Sequence, residues 1–327
     1  MNSKGYDIIG DVHGCANTLE LLLQKLGYEN YAAAGEWPLY RHPSRTAVFL
    51  GDVLDRGPRI RRALYIVKRM VDEGAAYCIM GNHELNALAY TTEAPPQSDK
   101  HYVREHNTRH NRQIAETLNE FAAYPEEWRM FLDWIQKRPL FLEFEAFRVV
   151  HACWDIALIK KFRSRYEGGA CIDANFIRRS AIRSSFEHKF LDRLTRGTDL
   201  RLPEGRFITG RDGLDRHAFR TKFWADEPVT FRDVAFQPDP LPEDIGELHL
   251  NSEQKESLLS YHSDEKPVFV GHYWLQGEPA PIKSNLACLD YSAVKYGKLA
   301  CYRFDGESTL DKEKFVSIAV TPELNAQ

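Results

Sequence analysis

The chain has 327 residues, 43% of them hydrophobic, and a net charge of −4. It holds no run of about 18 apolar residues, so we expect no transmembrane helix and no membrane partner. The first residues lack the apolar core of a signal peptide, which predicts a cytoplasmic protein. Six cysteines without CxxC spacing argue against a zinc ribbon or a disulfide framework.

Strand and helix patterns alternate over the first part of the chain. Short buried strands are predicted at 6–9, 46–50 and 75–80, with amphipathic helices at 16–26 and 60–71 between them. This βαβαβ order predicts a largely parallel sheet with helices packed against it.

The remaining segments complete a single α/β domain over 1–327. Two insertions interrupt it, a helical one at 91–137 and a basic one at 155–250 that is a candidate lid. Helices are predicted at 84–90, 103–123, 125–137, 172–195 and 252–261, and strands at 140–144, 147–151, 267–270, 286–289, 299–304 and 315–320. The stretch from 196 to about 242 is expected to be irregular because Pro and Gly punctuate it.

The second insertion carries an excess of positive charge. Between Lys160 and Lys222 there are sixteen Lys and Arg residues but only eight Asp and Glu residues. A basic segment beside an acidic body favours an anionic ligand, although a solvated helical surface has the same composition.

Polar side chains follow several predicted strands, often directly after a glycine. In open α/β sheets ligands bind at the carboxyl ends of the strands. Carboxylate, amide and imidazole groups without thiolate suit Mn, Fe or Zn. Each fragment alone has a simpler explanation, such as a turn or a helix N-terminus. We interpret Glu84 in this way, as an acidic residue at a helix N-terminus. Together the fragments predict a site for two divalent ions, formed by Asp11, His13, Asp52, Asn82, His151 and His272.

The motifs Asp11-x-His13, Gly51-Asp52-x-x-Asp55-Arg56-Gly57, Gly81-Asn82-His83-Glu84, His151 and Gly271-His272 resemble the calcineurin-like metallophosphoesterase superfamily. The stretches GDVHGC and GDVLDRGP are similar to its phosphoprotein-phosphatase branch, which includes bacterial serine/threonine phosphatases and symmetrical diadenosine tetraphosphatases. The resemblance implies a four-layer α/β/β/α sandwich and two metal ions, with manganese the first choice and iron or zinc as alternatives. It implies that one ion is held by Asp11, His13 and Asp52, and the other by Asp52, Asn82, His151 and His272.

The resemblance also implies roles for the neighbouring residues. Two cations acidify a bridging water, and the resulting hydroxide attacks phosphorus. Arg56 is expected to grip the phosphoryl oxygens together with Asn82. His83 is expected to protonate the leaving group, with Asp55 orienting it and raising its pKa.

One position departs from the pattern of many eukaryotic protein phosphatases of this branch. They carry a phosphate-contacting arginine directly before Gly-Asn-His-Glu, where this chain has Met80. A second cation must then come from elsewhere. Candidates in the basic insertion are Arg163, Arg165, Arg178, Arg179, Arg211 and Lys222.

Two hydrolase functions fit these motifs. The first is hydrolysis of a phosphomonoester or phosphoprotein, and the alternative is hydrolysis of a dinucleoside polyphosphate such as diadenosine tetraphosphate. A non-catalytic scaffold would have lost ligands, yet every candidate residue is present. A nucleic-acid phosphodiesterase is supported only by the basic insertion. The chain shows no nucleic-acid module and has few aromatics spaced for base stacking, which argues against this function.

Overall fold

A computed structural model describes residues 5–166, 169–209, 215–236 and 241–326 of the chain. Its strands β1 to β16 span, in chain order, Gly5–Ile9, Glu29–Asn30, Tyr40–Arg41, Arg45–Phe49, Ala76–Cys78, Phe141–Glu143, Arg148–Val150, Thr198–Arg201, Ile208–Thr209, Asp215–Arg216, Ala218–Thr221, Val268–Val270, Leu286–Cys288, Asp290–Tyr291, Lys298–Phe304 and Phe315–Ala319.

Helices α1 to α12 span Ala16–Lys25, Ile60–Asp72, Asn82–Thr91, Thr108–Phe121, Pro125–Gln136, Ile156–Arg165, Ala174–Arg179, Phe186–Arg196, Phe231–Val234, Glu243–Gly246, Ser252–Ser257 and Pro322–Ala326. None of these helices is both long enough and apolar enough to cross a membrane. All six cysteines are unpaired, as their spacing predicted.

The larger sheet has six strands, in the order β14, β15, β1, β4, β5, with β16 paired to β15. Strands β1, β4 and β5 are parallel, with Ile8 beside Val48 and Val48 beside Tyr77. This confirms the parallel arrangement predicted from the βαβαβ order. Strand β15 joins β1 in the antiparallel direction and so makes the sheet mixed.

The smaller sheet has four strands in the order β13, β12, β7, β6. Strand β12 runs parallel to both β13 and β7, while β6 and β7 form the antiparallel hairpin predicted from the sequence. Each sheet therefore has parallel strands whose carboxyl ends can deliver side chains to one edge.

The two sheets share a buried cluster. Ile8 and Val48 of the larger sheet belong to it, together with Val149 and Phe269 of the smaller one. Side chains that alternate with these, such as Phe49, belong to a second cluster that includes the buried faces of α1 and α2. The mixed α/β fold is thus confirmed, and the four-layer order stays a prediction.

The second insertion departs from the predicted elements. One helix was expected over 172–195, but α7 ends at Arg179 and α8 begins after Ser185. The Ser185 hydroxyl accepts a hydrogen bond from the backbone N–H of His188 at 3.0 Å, and such a cap starts a new helix. The stretch that was expected to be irregular contains β8 and β11, which pair in the antiparallel direction.

The first helix of the helical insertion begins later than predicted. A helix was expected from residue 103, but α4 starts at Thr108, after Asn107 has capped it by accepting a hydrogen bond from the N–H of His110 at 2.9 Å. Residues 103–107 therefore lie in the link between α3 and α4, which spans 92–107. The division of the chain into one domain and two insertions stays a prediction.

Candidate metal centre and active site

Five strand ends bring the predicted ligands into one buried cluster. None of the six ligands is more than 9% exposed. Asp11 and His13 follow β1, Asp52 follows β4, Asn82 opens α3 after β5, His151 follows β7, and His272 follows β12.

Asp52 lies at the centre of this cluster. Its Oδ2 is 3.6 Å from Nε2 of His13, 3.4 Å from Nε2 of His151 and 3.9 Å from Nε2 of His83. Two triplets have ligand atoms within 4.8 Å of one another: Asp11, Asp52 and His151 form one, and His13, Asp52 and His83 the other. Both contain Asp52, so this carboxylate is placed where it can contact two ions.

Asn82 joins the remaining two ligands. Its Oδ1 is 2.7 Å from Nδ1 of His272 and 3.1 Å from Nε2 of His151. Asp11 accepts a hydrogen bond from the backbone N–H of His272 at 3.2 Å. The six residues thus lie together, but His13 is grouped with His83 and Asp11 with His151. The assignment of each residue to one ion stays a prediction.

The imidazole rings are oriented by backbone carbonyls. Nδ1 of His13 donates to the carbonyl of Leu54 at 2.9 Å, and Nδ1 of His151 donates to that of Leu50 at 2.7 Å. The Nε2 atoms therefore point inward, as ligating imidazoles require. Nε2 of His13 and Nε2 of His272 are buried without a hydrogen-bond partner. Buried polar atoms are normally paired, so these two atoms fit metal ligands.

The charge balance at His151 also fits a cation. Its Nε2 faces Oδ1 of Asn82 and Oδ2 of Asp52, which are both acceptors. Burial, the largest single cause, would lower the pKa of His151, but Asp52, Asp11 and the hydrogen bond to Leu50 together raise it to about 10. Positive charge is therefore favoured between these atoms, and a bound divalent ion would supply it.

Glu84 has a larger role than the sequence indicated. Its Oε2 accepts hydrogen bonds from the backbone N–H groups of Asp52 at 2.7 Å and Gly81 at 2.9 Å. Its Oε1 accepts from the N–H of Val53 at 2.8 Å. We interpreted Glu84 as a local helix-terminal acid. Instead its carboxylate ties the loop after β4 to the loop after β5 and so holds Asp52 in place.

Two glycines allow carboxylates to lie against the backbone. A Cβ at Gly81 would be 2.3 Å from Oδ1 of Asp52, and a Cβ at Gly271 would be 2.1 Å from Oδ1 of Asp11. Asp52 and His272 have φ angles of 49° and 69°, which side-chain-bearing residues seldom adopt. Such strained backbone is concentrated at functional sites, where the surrounding structure holds it.

His83 forms a hydrogen-bonded chain with residues from two other elements. Its Nδ1 donates to Oδ2 of Asp55 at 2.6 Å, and the hydroxyl of Thr117 donates to the other oxygen of Asp55. On the opposite side of the ring, Arg56 donates to Nε2 of His83 at 2.9 Å. Sequence reasoning missed Thr117, although a threonine three residues after Ile114 on the apolar face of a predicted helix is a recognisable signal.

The pKa of His83 moves opposite to our expectation. We predicted that Asp55 raises it, but burial lowers the pKa of His83 to about 3, with Asp52 opposing and Arg56 reinforcing the decrease. Burial also raises the pKa of Asp55 to about 7. For Asp52, burial would raise the pKa, yet His151 and His83 hold it well below its usual range, so Asp52 stays ionised.

Arg56 is also held by an aromatic ring that sequence reasoning missed. Its guanidinium lies 4.5 Å from the ring centroid of Trp274, and Nζ of Lys295 lies 3.7 Å from the same centroid. Trp274 is two residues after His272, so the chain segment that supplies a predicted ligand also orients Arg56.

The predicted second cations are mostly engaged elsewhere. Arg163 pairs with Glu143 at 3.1 Å and Arg179 with Glu187 at 2.7 Å. Lys222 donates to the carbonyl of Asp233 at 3.3 Å, and Arg165 lies over Phe186. Arg178 lies on α7, and its role as the second cation stays a prediction. Arg211 is outside the described residues.

Three other arginines lie closer to the cluster. Arg196 donates to Oδ1 of Asn86, one helical turn after Asn82, at 2.7 Å. Arg220 lies 5.9 Å from the ring centroid of Tyr273, and its charge contributes to a lowered pKa of His272 after the larger effect of burial. Arg104 likewise contributes to the lowered pKa of His83. None of the three was singled out from the sequence.

The fold and this cluster resemble those of a metallophosphoesterase. The family model of the calcineurin-like phosphoesterases matches residues 6–164 of the chain. The chain is 33% identical over 147 residues to the asymmetrical bis(5'-nucleosyl)-tetraphosphatase PrpE of Oceanobacillus iheyensis, covering 45% of this chain and 54% of that protein. To the protein of the same name from Halalkalibacterium halodurans it is 44% identical over 79 residues, covering 24% and 30%.

The chain thus spans about half or less of the length of the curated relatives it matches. Those relatives are named asymmetrical, whereas the motifs were compared above with symmetrical enzymes. Among solved structures, a putative diadenosine tetraphosphatase is similar with a TM-score of 0.46 and 16% identity, covering 98% of this chain and 95% of that one. A protein serine/threonine phosphatase from Saccharomyces cerevisiae has a TM-score of 0.49 and 14% identity, covering 98% and 80%.

Proposed function

We propose that this protein hydrolyses phosphoester or phosphoanhydride bonds with the help of two divalent metal ions. One observation carries the proposal: Asp52 is shared by two groups of ligand atoms, directly beside the paired His83 and Asp55. A phosphomonoester or a phosphoprotein is the first candidate substrate. A dinucleoside polyphosphate is the second, favoured by the names of the two relatives described above.

The donor set suits two divalent ions. Asp11, His13, Asp52, Asn82, His151 and His272 would hold them, and mixed oxygen and nitrogen ligation suits manganese, with iron or zinc as alternatives. When bound, two such ions lower the pKa of a water molecule and offset negative charge on the phosphoryl group.

Arg56 and His83 would act on the substrate itself. The planar guanidinium of Arg56 can hold two phosphoryl oxygens at once. In this structure it donates to Nε2 of His83 instead. An anionic substrate would draw Arg56 away from His83, which removes one of the causes that lower the pKa of the imidazole.

His83 would then carry a proton at Nε2 and pass it to the leaving oxygen. Asp55 accepts the hydrogen bond from Nδ1 at 2.6 Å and so holds the ring in the required orientation. Thr117 in turn donates to Asp55 and fixes its carboxylate.

The test is an assay of the purified, manganese-loaded protein against p-nitrophenyl phosphate, a phosphoserine peptide and diadenosine tetraphosphate in parallel. Asp52→Asn should lose both bound metal and turnover. His83→Ala should lower kcat by about 10²- to 10⁴-fold, the usual contribution of a general acid. The exposed His262→Ala serves as the control and should behave as the unmodified protein. Unchanged turnover in both site variants would refute the catalytic assignment, and cleavage of a single substrate class would decide between the two candidates.

A further inference from the structure

Two arginines from different insertions are attached to the same helix, α3, which begins with Asn82 and His83. Arg196 donates from Nη2 to Oδ1 of Asn86 at 2.7 Å. The backbone N–H of Arg104 donates to the carbonyl of Ala89 at 3.0 Å. Asn86 and Ala89 are three residues apart and therefore neighbours on one face of the helix.

These two cations have little compensating negative charge. Arg104 has no carboxylate within 4.0 Å in the described part of the chain, and its guanidinium donates to the amide oxygen of Gln113. Arg196 has one, Asp192 at 3.3 Å, and that side chain is 46% exposed. Burial and, after it, the charge of Arg196 lower the pKa of Arg104 to about 10. Two partly buried like charges are unfavourable together unless an anion joins them.

Both arginines are placed near the proton donor by their contacts. The guanidinium of Arg104 donates to Gln113, one helical turn before Thr117, whose hydroxyl donates to Asp55. Asn86, which accepts from Arg196, lies three residues after His83 on α3. In the proposed reaction His83 faces the leaving group. An anion held by the two arginines would therefore belong to the leaving part of the substrate.

We propose that Arg104 and Arg196 form a second anion-binding subsite, which holds a phosphate group of the leaving portion of the substrate. The inference rests on the proposed hydrolase function and narrows its substrate class to a chain of linked phosphates, as in a nucleoside polyphosphate. A phosphoserine peptide or a simple phosphomonoester has no second phosphate to occupy this subsite. Because one arginine comes from 91–137 and the other from 155–250, both insertions contribute to substrate selection.

The kinetic test compares Arg104→Gln, Arg196→Gln and the double variant on inorganic tripolyphosphate and on p-nitrophenyl phosphate. The control is Arg163→Gln, which removes an arginine of the same basic insertion that already pairs with Glu143. For each subsite variant, the ratio of kcat/KM between tripolyphosphate and p-nitrophenyl phosphate should fall at least about tenfold, or about 1.4 kcal/mol. The control should keep the ratio of the unmodified protein. Equal losses on both substrates, or no loss on tripolyphosphate, would overturn the subsite.

A binding measurement separates this inference from the hydrolase proposal. Calorimetric titration of the full chain with tripolyphosphate, without added metal because tripolyphosphate chelates it, should give binding at least about tenfold weaker in the double variant. Arg104→Lys keeps the charge and should keep most of the affinity, and thermal unfolding of every variant confirms that it is folded. Weaker binding without hydrolysis of any substrate would leave the subsite standing and refute the hydrolase. Equal binding by all variants would refute the subsite whether or not the protein is a hydrolase.

Discussion

Replacing Glu84 with glutamine tests whether this carboxylate organises the metal centre. The two oxygens accept three short hydrogen bonds, from the N–H groups of Gly81 and Asp52 on one oxygen and of Val53 on the other. Glutamine has the same shape but only one carbonyl oxygen, so its NH₂ group must face one or two of these donors.

The magnitude follows from the number of donors left without an acceptor. Each buried N–H that loses its partner costs about 1–3 kcal/mol, so Glu84→Gln should reduce the free energy of unfolding by at least that amount. Because Asp52 belongs to the disturbed loop, manganese affinity should also fall, by about 10- to 100-fold as for other residues that support metal ligands.

The assay is urea unfolding in saturating manganese, combined with calorimetry of manganese binding. Glu120→Gln is a matched control, since the Glu120 carboxylate accepts from the backbone N–H groups of Ile60 at 2.7 Å and Arg61 at 2.9 Å and contacts no predicted ligand. It should lower the free energy of unfolding by about 0.5–2 kcal/mol, as for a lost helix cap, but leave manganese affinity unchanged. If Glu84→Gln matches the unmodified protein in both measurements, Glu84 is only a helix-terminal acid and our reasoning is wrong.

Three further predictions concern the same centre. Trp274→Ala removes the ring 4.5 Å from Arg56, and the loss of a cation–π contact of about 0.5–2 kcal/mol should raise KM for a phosphorylated substrate by about 2- to 30-fold. Trp274→Phe should reverse part of this increase in KM. An unchanged KM would show that Arg56 does not need the ring. Gly271→Ala adds a Cβ only 2.1 Å from Oδ1 of Asp11, so the Asp11 carboxylate must move. Calorimetry should then show weaker manganese binding, and equal binding would mean that the loop adapts freely. Manganese at 100 times its Kd should add about 2.7 kcal/mol per ion to the free energy of unfolding, and His272→Ala should reduce that gain. A melting temperature that does not respond to manganese or to EDTA would contradict the metal centre.

Local sequence patterns were enough to predict the strand ends and the residues they carry. A strand that ends at a glycine and continues with Asp, His or Asn is a short-range pattern, and its chemistry depends on residue type and spacing alone. The parallel order of β1, β4 and β5 followed from the alternation of strand and helix, and it brings Asp11, Asp52 and Asn82 together. For the same reason the β6–β7 hairpin was predictable. The break between α7 and α8 was not, because it depends on which serine caps the N-terminus of α8.

The sequence by itself determined which side chains are available at the site, because neighbours in the chain specify a strand, a turn and a helix start. Only the tertiary structure decided how those side chains are supported. Thr117 reaches Asp55 from 62 residues away, and Trp274 lies against Arg56 only because the segment after β12 passes over the loop after β4. Burial reversed the expected direction of the pKa of His83, and long-range packing brought Arg104 and Arg196 to one helix. These features depend on distances between remote segments and on exclusion of water, which no local pattern encodes.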